Sequence, residues 1–280
     1  MSNANVERVL NAIEALADVP AGLSLGALAE RLDVPKSAAH RLLQSLIGRG
    51  YVTQDAPTQD YLLSLKVPLL GFRYLEARRL PDVAQGALDQ LAQATGEYCR
   101  MAVVEGEGVH WVARAQGATQ GLRYDPPMGR DVVLHATATG KSWLATLPEQ
   151  EALRIVFARG FETPPGFGER VVKTADELRR HLHDTRQRGY ALALEEGEPG
   201  TVAIAAAFRA WAGVEAPVAG TISVAGPRAR MSDARIVELA PLLLAATDAI
   251  TELWPMRQRQ PATRSAAPDA ASAHLTVSPT

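Results

Sequence analysis

The stretch from Ser24 to Tyr51 constrains the fold of this chain most, because it combines two short amphipathic helices with a tight turn between them. Ser24 is a favourable N-cap, since its hydroxyl can accept a hydrogen bond from a free N–H of the first turn. Pro35 ends the first helix and suits the first turn of the second, because the residue before a proline is pushed out of the α region. This pattern predicts a helix-turn-helix, whose second helix enters the major groove of DNA.

The second predicted helix has one apolar face and one polar, cationic face. Polar residues recur there at spacing i, i+3, i+4 and i+7, behind a lysine at the N-terminal end. We therefore expect groove contacts from Ser37, His40, Arg41 and Gln44, and a phosphate contact from Lys36.

The positive charge of the N-terminal region is concentrated in one segment, although the region as a whole is not basic. Residues 1–65 carry five Lys/Arg and seven Asp/Glu, a net charge of −2, whereas residues 31–49 carry four cations against one acid. A second basic segment follows at residues 66–79. A winged helix that binds another protein is the alternative interpretation, but the local field is what attracts phosphate within a Debye length of roughly 8 Å, which favours DNA.

Turn residues, helix caps and local composition divide the chain into four predicted parts. Residues 1–65 form a winged helix-turn-helix, with an amphipathic helix in front and strands at 51–54 and 61–65 as the wing. Residues 66–80 form a linker helix, and residues 81–254 form a second domain. Residues 255–280 contain no aromatic residue and are expected to be a disordered tail.

The second domain is predicted to be α+β. Its expected strands are a hairpin over 98–115, a third strand around Leu122 to Asp125, and three apolar strands at 190–194, 201–208 and 218–224. Helices are expected after Pro81, from His135, from Pro148, after the capping box Thr174–Glu177 and from about Ser232. This order fits a sheet flanked by helices on one face.

The composition excludes several classes of protein. The lone Cys99 excludes a disulfide framework within the chain and favours a reducing compartment. The N-terminal residues lack the apolar segment of a signal peptide, and no apolar run reaches membrane-spanning length. We therefore expect a cytoplasmic protein with no membrane partner.

Two motifs resemble a nucleotide-binding loop and a metal site, but neither has the spacing that its chemistry needs. Gly140-Lys141-Ser142 looks like the end of a phosphate loop, but that loop needs a glycine five positions before Gly140, where His135 stands. Lys141 is therefore expected to be a surface or interface lysine. His181 and His183 are two residues apart and do not share a helical face, so no metal site is expected, and no cofactor either.

Taken together, these segments resemble the IclR family of transcriptional regulators over residues 4–254. The matching runs, in order, are Gly22-Leu-Ser-Leu, Val34-Pro-Lys-Ser-Ala-Ala-His-Arg-Leu-Leu43, Gly50-Tyr-Val, Leu134-His-Ala-Thr-Ala-Thr-Gly-Lys141, Arg188-Gly-Tyr190, Glu195-Glu196 with Gly200, and Ile222-Ser-Val-Ala-Gly-Pro227. The resemblance implies an N-terminal winged-helix DNA reader and a C-terminal α+β, GAF-like effector domain. It also implies a homodimer, or a homotetramer, on double-stranded DNA with a palindromic operator.

The resemblance also implies an effector pocket. Carried over by position, the ligand-binding residues are Arg123, Tyr124, Ala138, Thr139, Ala193, Ala203, Ser223 and Ala225. Only one of Arg123 and Tyr124 is expected to face inward, because neighbouring strand residues point to opposite faces. A carboxylate on the ligand is expected to meet either Arg123 or the N–H groups of the helix that begins near Thr137.

Three positions of this pocket depart from the family pattern. Ala193 stands where an acid is usual, Ala203 where a cysteine is usual, and Ala225 where a second serine is frequent. Small apolar residues enlarge a pocket and remove polar partners for a two- or three-carbon acid. We therefore expect a bulkier effector, an aromatic or hydroxyaromatic acid, with a short aliphatic acid as the alternative.

Three functions compete. The leading one is a ligand-responsive transcription factor, repressor or activator, that controls a catabolic operon. An enzyme that uses Glu195 and Glu196 is disfavoured, because neighbouring acids on one strand face opposite ways and no nucleophile with a nearby base is present; no catalytic residue is predicted. An architectural DNA-bending protein would leave the large second domain without a purpose.

Overall fold

The structure is a computed structural model that describes residues 4–78 and 80–258, without the side chains of residues 80–83, 257 and 258. The chain divides into two compact units between Ala77 and Arg78. Of the predicted tail, residues 259–280 lie outside the described residues, and residues 255–258 belong to a 3-10 helix, Trp254–Gln258.

The N-terminal unit is a winged helix-turn-helix, as predicted. Its elements in chain order are α1 (Ala4–Ala17), α2 (Leu25–Arg31), α3 (Lys36–Gly48), β1 (Val52–Gln54), β2 (Tyr61–Leu63) and α4 (Lys66–Ala77). The antiparallel pair β1 and β2 forms the wing, and the turn before α2 adds a bridge from Leu23 to Tyr61. A small core of buried apolar residues joins all of these elements except α4: Ala12, Leu16, Leu23, Leu28, Leu43, Leu46, Val52 and Tyr61.

Local chemistry sets the turn of the motif. The Ser24 hydroxyl accepts a hydrogen bond from the N–H of Ala27 at 3.2 Å and caps α2, as its sequence position predicts. Asp33 adopts a left-handed conformation with φ of 49°, which Asp tolerates better than most residues, and Pro35 precedes the first turn of α3. On α1, Val6 and Leu10 remain exposed rather than packed behind the motif.

The C-terminal unit is α+β. Its helices are α5 (Leu80–Thr95), α6 (Ala138–Leu144), α7 (Glu149–Arg159), α8 (Ala175–Arg188) and α9 (Asp233–Leu253). Its strands are β3 (Tyr98–Glu105), β4 (Gly108–Gln116), β5 (Ala191–Leu194), β6 (Thr201–Arg209) and β7 (Val218–Pro227). All neighbours in the sheet are antiparallel, in the order β4-β3-β7-β6-β5. The predicted capping box of α8 is present, and Gly189 ends that helix in the left-handed conformation.

Helices cover both faces of this sheet. On one face, the Phe208 ring packs edge-on against Trp254, which follows α9, with ring centroids 4.8 Å apart. On the other face, Ala193 and Ala205 pack against Ala138 of α6. The expectation of helices on one face is therefore wrong, because successive residues of these strands point to opposite sides and both sides are apolar.

The third strand expected around Leu122 to Asp125 is also wrong. Residues 117–137 contain no strand and connect β4 to α6 as an extended loop. A side chain, and not a neighbouring strand, supplies a hydrogen bond to the backbone of this loop: the Gln116 side-chain amide donates to the Tyr124 carbonyl at 2.9 Å. Gly121 adopts φ of 76°, a left-handed conformation that interrupts any strand at the start of the segment. Within the described ranges, no helix combines the length and apolar character needed to cross a membrane.

Candidate DNA interface and effector cavity

Helix α3 presents all five predicted DNA contacts to solvent. Ser37, His40, Arg41 and Gln44 are exposed on one face, and Lys36 is exposed at its N-terminal end. The opposite face is held in the core by Ala39, Leu43 and Leu46. Such a helix can approach a duplex with its polar stripe while its apolar stripe remains packed.

The cavity of the C-terminal unit lies between three elements. One wall is the alanine-rich face of the sheet, the second is the first turn of α6, and the third is the loop that contains Tyr124. Seven of the eight predicted ligand residues line it: Tyr124, Ala138, Thr139, Ala193, Ala203, Ser223 and Ala225. Arg123 does not line the cavity and is exposed. Tyr124 is thus the inward member of that pair.

Arg100 and Trp111 line the same cavity, although neither is among the ligand-binding residues predicted from the sequence. Arg100 lies in β3, directly across from Ser223 of β7, and only 8% of its surface is exposed. Its guanidinium carbon lies 3.7 Å from the centre of the Trp111 ring and 5.6 Å from that of Tyr98. The detectable signal was a single cation in the otherwise apolar strand Tyr98-Cys-Arg-Met-Ala-Val-Val.

No carboxylate pairs with Arg100 among the described residues at ion-pair distance, and its Nε has no hydrogen-bond partner. Burial lowers the pKa of this guanidinium, but an arginine stays charged in proteins. A buried charge without a partner is costly, by several kcal/mol as an order of magnitude. The cavity therefore holds a positive charge that no carboxylate of the described residues contacts directly, and Glu198 attracts it only at longer range.

Polar side chains line the cavity together with this charge. Burial raises the pKa of Tyr124 to about 12, and the nearby Arg100 cation opposes that shift. Tyr124 is therefore a neutral hydroxyl at physiological pH, able to donate as well as accept. Glu198 lines the cavity from the turn after β5, but its side chain is exposed to solvent. Thr137, Gly197 and Thr201 complete the lining.

The cavity is small although three of its lining residues are alanines. Its volume is about 40 Å³, enough for about three water-sized groups at roughly 10–15 Å³ each. Arg100 and Trp111 line the same cavity as the three alanines and take up part of its space. The small side chains on β5, β6 and β7 are thus accompanied by two large ones on β3 and β4.

The α6 terminus is a weaker anion site than expected. Helix α6 has only seven residues, and the Thr137 hydroxyl already accepts the Gly140 N–H at 3.0 Å. The helix begins near Thr137 as expected, but one of its few free donors is used within the helix. Arg100 is the stronger partner for a carboxylate on electrostatic grounds.

Lys141 is buried, and the prediction of a surface lysine is wrong. Its side chain is fully buried, and Nζ lies 2.7 and 2.8 Å from the two carboxylate oxygens of Glu196. Nζ also lies 3.2 Å from Nδ1 of His181, a half-buried residue of α8. Among the residues that the structure describes, no cluster could hold a metal ion.

These features define a class of protein: a winged-helix DNA reader joined to a domain with a cationic ligand cavity. The sequence profile described as "IclR helix-turn-helix domain" matches residues 5–56, and that described as "Bacterial transcriptional regulator IclR C-terminal" matches residues 72–252. The chain belongs to the IclR family of transcriptional regulators. It is therefore a DNA-binding, ligand-responsive regulator, and members of this family are not enzymes.

Individual relatives agree with this assignment. The HTH-type transcriptional regulator BhcR of Paracoccus denitrificans is 31% identical over 86% of this chain and 84% of its own length. The transcriptional repressor IclR of Escherichia coli is 26% identical over 88% of each chain. A solved IclR homologue from Microbacterium hydrocarbonoxydans, complexed with 4-hydroxybenzoate, is 21% identical, covers 89% of this chain and 98% of its own, and superposes with a TM-score of 0.73. The last similarity shows the shared fold.

Proposed function

We propose that this chain is a cytoplasmic regulator of a catabolic operon, and that its effector is an organic acid whose carboxylate binds Arg100. The observation that carries the proposal is the buried guanidinium without a carboxylate partner on the described part of the chain. An anionic ligand supplies a counter-charge in direct contact with Arg100, which Glu198 does not. A charge-assisted hydrogen bond in a desolvated cavity is also about twice as strong as a neutral one.

The size of the acid separates two candidates. The cavity volume of about 40 Å³ favours a short aliphatic acid such as pyruvate or glyoxylate, because it has fewer atoms to accommodate than an aromatic acid. An aromatic acid is the second candidate. It is supported by the flat walls that Trp111 and Tyr124 provide and by the 4-hydroxybenzoate bound to a homologue. It requires the Tyr124 loop and the exposed Glu198 to move outward.

On the DNA side, we propose that Arg41 and His40 read base edges, together with Ser37 and Gln44, while Lys36 contacts phosphate. Their joint exposure on one face of α3 supports these roles. The operator is proposed to be palindromic and bound by a homodimer or homotetramer. Exposed apolar side chains on the N-terminal unit support self-association: Val6, Leu10, Leu65, Leu69 and Phe72.

The effector must bind one arrangement of the DNA readers better than another, since only differential affinity shifts such an equilibrium. Calorimetric titration of the full chain with pyruvate, glyoxylate, benzoate and 4-hydroxybenzoate tests the ligand class. A neutral amide of each acid is the matched control, because it keeps the shape and lacks the charge. Equal affinity for an acid and its amide would refute Arg100 as the carboxylate partner.

The regulatory role is tested on the DNA flanking the gene. A gel shift with the promoter fragment and a random duplex of equal length, each with and without the bound acid, measures both preference and response. We expect preference for the promoter fragment and a change in its apparent affinity when the acid is added. No preference under either condition would refute the proposed role.

A further inference from the structure

The buried pair Lys141–Glu196 joins two walls of the effector cavity. Lys141 lies one turn after Thr137, Ala138 and Thr139, which line the cavity from α6. Glu196 directly precedes Gly197 and Glu198, which line it from the turn after β5. The pair thus connects segments that are 55 residues apart in sequence, and neither of its members lines the cavity.

The hydrogen bonds of the pair fix it from both sides. The ammonium of Lys141 has three donors, and its three close partners are the two Glu196 oxygens and Nδ1 of His181. Burial and the Lys141 charge lower the pKa of His181 to about 4, so its ring is neutral at pH 7 and Nδ1 can accept. Glu196 Oε1 also accepts the N–H of Leu194 at 3.3 Å.

The backbone around the pair is closely packed. A Cβ on Gly140 would lie 2.4 Å from the Leu134 carbonyl oxygen, so the first turn of α6 is pressed against the preceding turn. The Gly168 N–H donates to the Glu196 carbonyl at 2.8 Å. A Cβ on Gly197 would lie 3.7 Å from the Ala136 carbonyl oxygen, which places the turn after β5 directly against the entry to α6.

A buried ion pair is weak evidence for stability, because the cost of removing two charges from water can exceed their attraction. Burial lowers the pKa of Lys141 and raises that of Glu196, and the attraction between the two charges opposes both shifts. An apolar pair of similar volume would fill this space without that cost. An apolar pair, however, makes no directional contact, whereas the hydrogen bonds of the ion pair fix the distance between α6 and the turn after β5.

We propose that Lys141 and Glu196 are positioning residues that set the geometry of the effector cavity. The proposal rests on the proposed function in one respect, namely that this cavity is where the acid binds. Loss of the pair separates Thr139 from Gly197 and Glu198 and misaligns the polar rim relative to Arg100. Effector affinity therefore depends on two residues that do not touch the effector.

The test compares the wild-type chain with three variants. Lys141→Met with Glu196→Met removes the pair and leaves no unpaired buried charge. Glu196→Gln keeps the shape and one acceptor. Leu178→Ala, a fully buried residue of α8 in the apolar cluster and outside the cavity lining, is the control for lost stability alone. Thermal unfolding is recorded for each, and pyruvate and benzoate are titrated well below the lowest transition.

We expect the double variant to bind the preferred acid about tenfold more weakly, a typical coupling between residues and a site they do not touch. Glu196→Gln is expected to have a smaller loss in the same direction, and Leu178→Ala to bind like the wild type once folded. Binding by the double variant within twofold of the wild type would overturn the proposal.

A second measurement needs no ligand. Amide hydrogen exchange of the free protein is expected to be faster in the double variant at residues 138–140 and 197–198, whereas Leu178→Ala leaves those amides unchanged relative to the sheet. Unchanged exchange there in the double variant would overturn the positioning role. If the wild type binds neither acid, the proposed function fails, and the exchange result still decides on the pair.

Discussion

Replacing Arg100 with methionine should make the protein more stable and less responsive to its effector. Arg100 is 92% buried, has no carboxylate partner at ion-pair distance on the described part of the chain, and stacks on Trp111 at 3.7 Å. Methionine keeps much of the apolar stem and adapts to irregular spaces. The substitution therefore removes the charge with little change in packing.

The magnitude follows from two opposing terms. Burial of an unpaired ion costs several kcal/mol in real proteins, of which we take about 3–4 kcal/mol for Arg100. The cation–π contact with Trp111 offsets about 2 kcal/mol in a desolvated site. The net expectation is a gain of about 1–2 kcal/mol for Arg100→Met, or about 2–8 °C in the midpoint of a unit of this size.

Arg100→Met should gain stability but lose affinity for the effector. Truncating one partner of a buried, hydrogen-bonded charge pair costs about 2–5 kcal/mol, and the lower limit is about a 30-fold loss of affinity. Calorimetric titration with pyruvate and benzoate measures this loss, and differential scanning calorimetry without ligand measures the stability.

Arg114→Met is the matched control. Arg114 is aligned with Arg100 across β3 and β4, but its side chain is exposed and pairs with Asp125 at 3.5 Å. Its removal should change stability by less than about 0.5 kcal/mol and leave effector affinity unaltered. The reasoning is refuted if Arg100→Met loses stability by more than 1 kcal/mol, or if it retains wild-type effector affinity.

Three further predictions concern other parts of the molecule. Arg41→Ala should weaken binding to the preferred operator by about 1–3 kcal/mol in a gel shift, if Arg41 reads a base. Stability in urea should fall as the pH falls from about 6.5 towards 4, because the pKa of His181 is about 4 when folded and about 6.5 when unfolded, so the unfolded chain binds more protons in that window. His181→Asn should flatten part of that slope. Gly168→Ala should cost at least about 3 kcal/mol in thermal unfolding, since its Cβ would lie 1.7 Å from the Glu195 carbonyl oxygen.

Each of these has a control or a contradicting result. An equal loss on specific and random DNA would assign Arg41 to phosphate contact only. A pH slope unchanged by His181→Asn would exclude that residue as its source. For the glycine, the control is Gly48→Ala in α3, where a Cβ meets nothing within 4 Å. It should raise stability by about 0.5 kcal/mol, because alanine is the better helix former; a loss similar to that of Gly168→Ala would contradict the steric explanation.

The sequence by itself determined the parts whose causes are local. The turn at Pro35, the cap at Ser24 and the capping box of α8 depend on residues within one helical turn of each other, and all three are present. The exposed stripe of α3 followed from the 3.6-residue period. The strand expected at residues 122–125 was wrong because a short extended run forms a strand only when a neighbouring edge accepts it.

Tertiary structure alone decided the electrostatics of the effector cavity. Arg100 became a buried cation because β3 lies inside the sheet, between β4 and β7, and Lys141 became part of a buried ion pair because α6 meets the turn after β5. The sequence shows which residues carry a charge. The free-energy cost of burying that charge depends on the water removed around it and on partners that are distant along the chain. Both are set only when the strands and helices pack together.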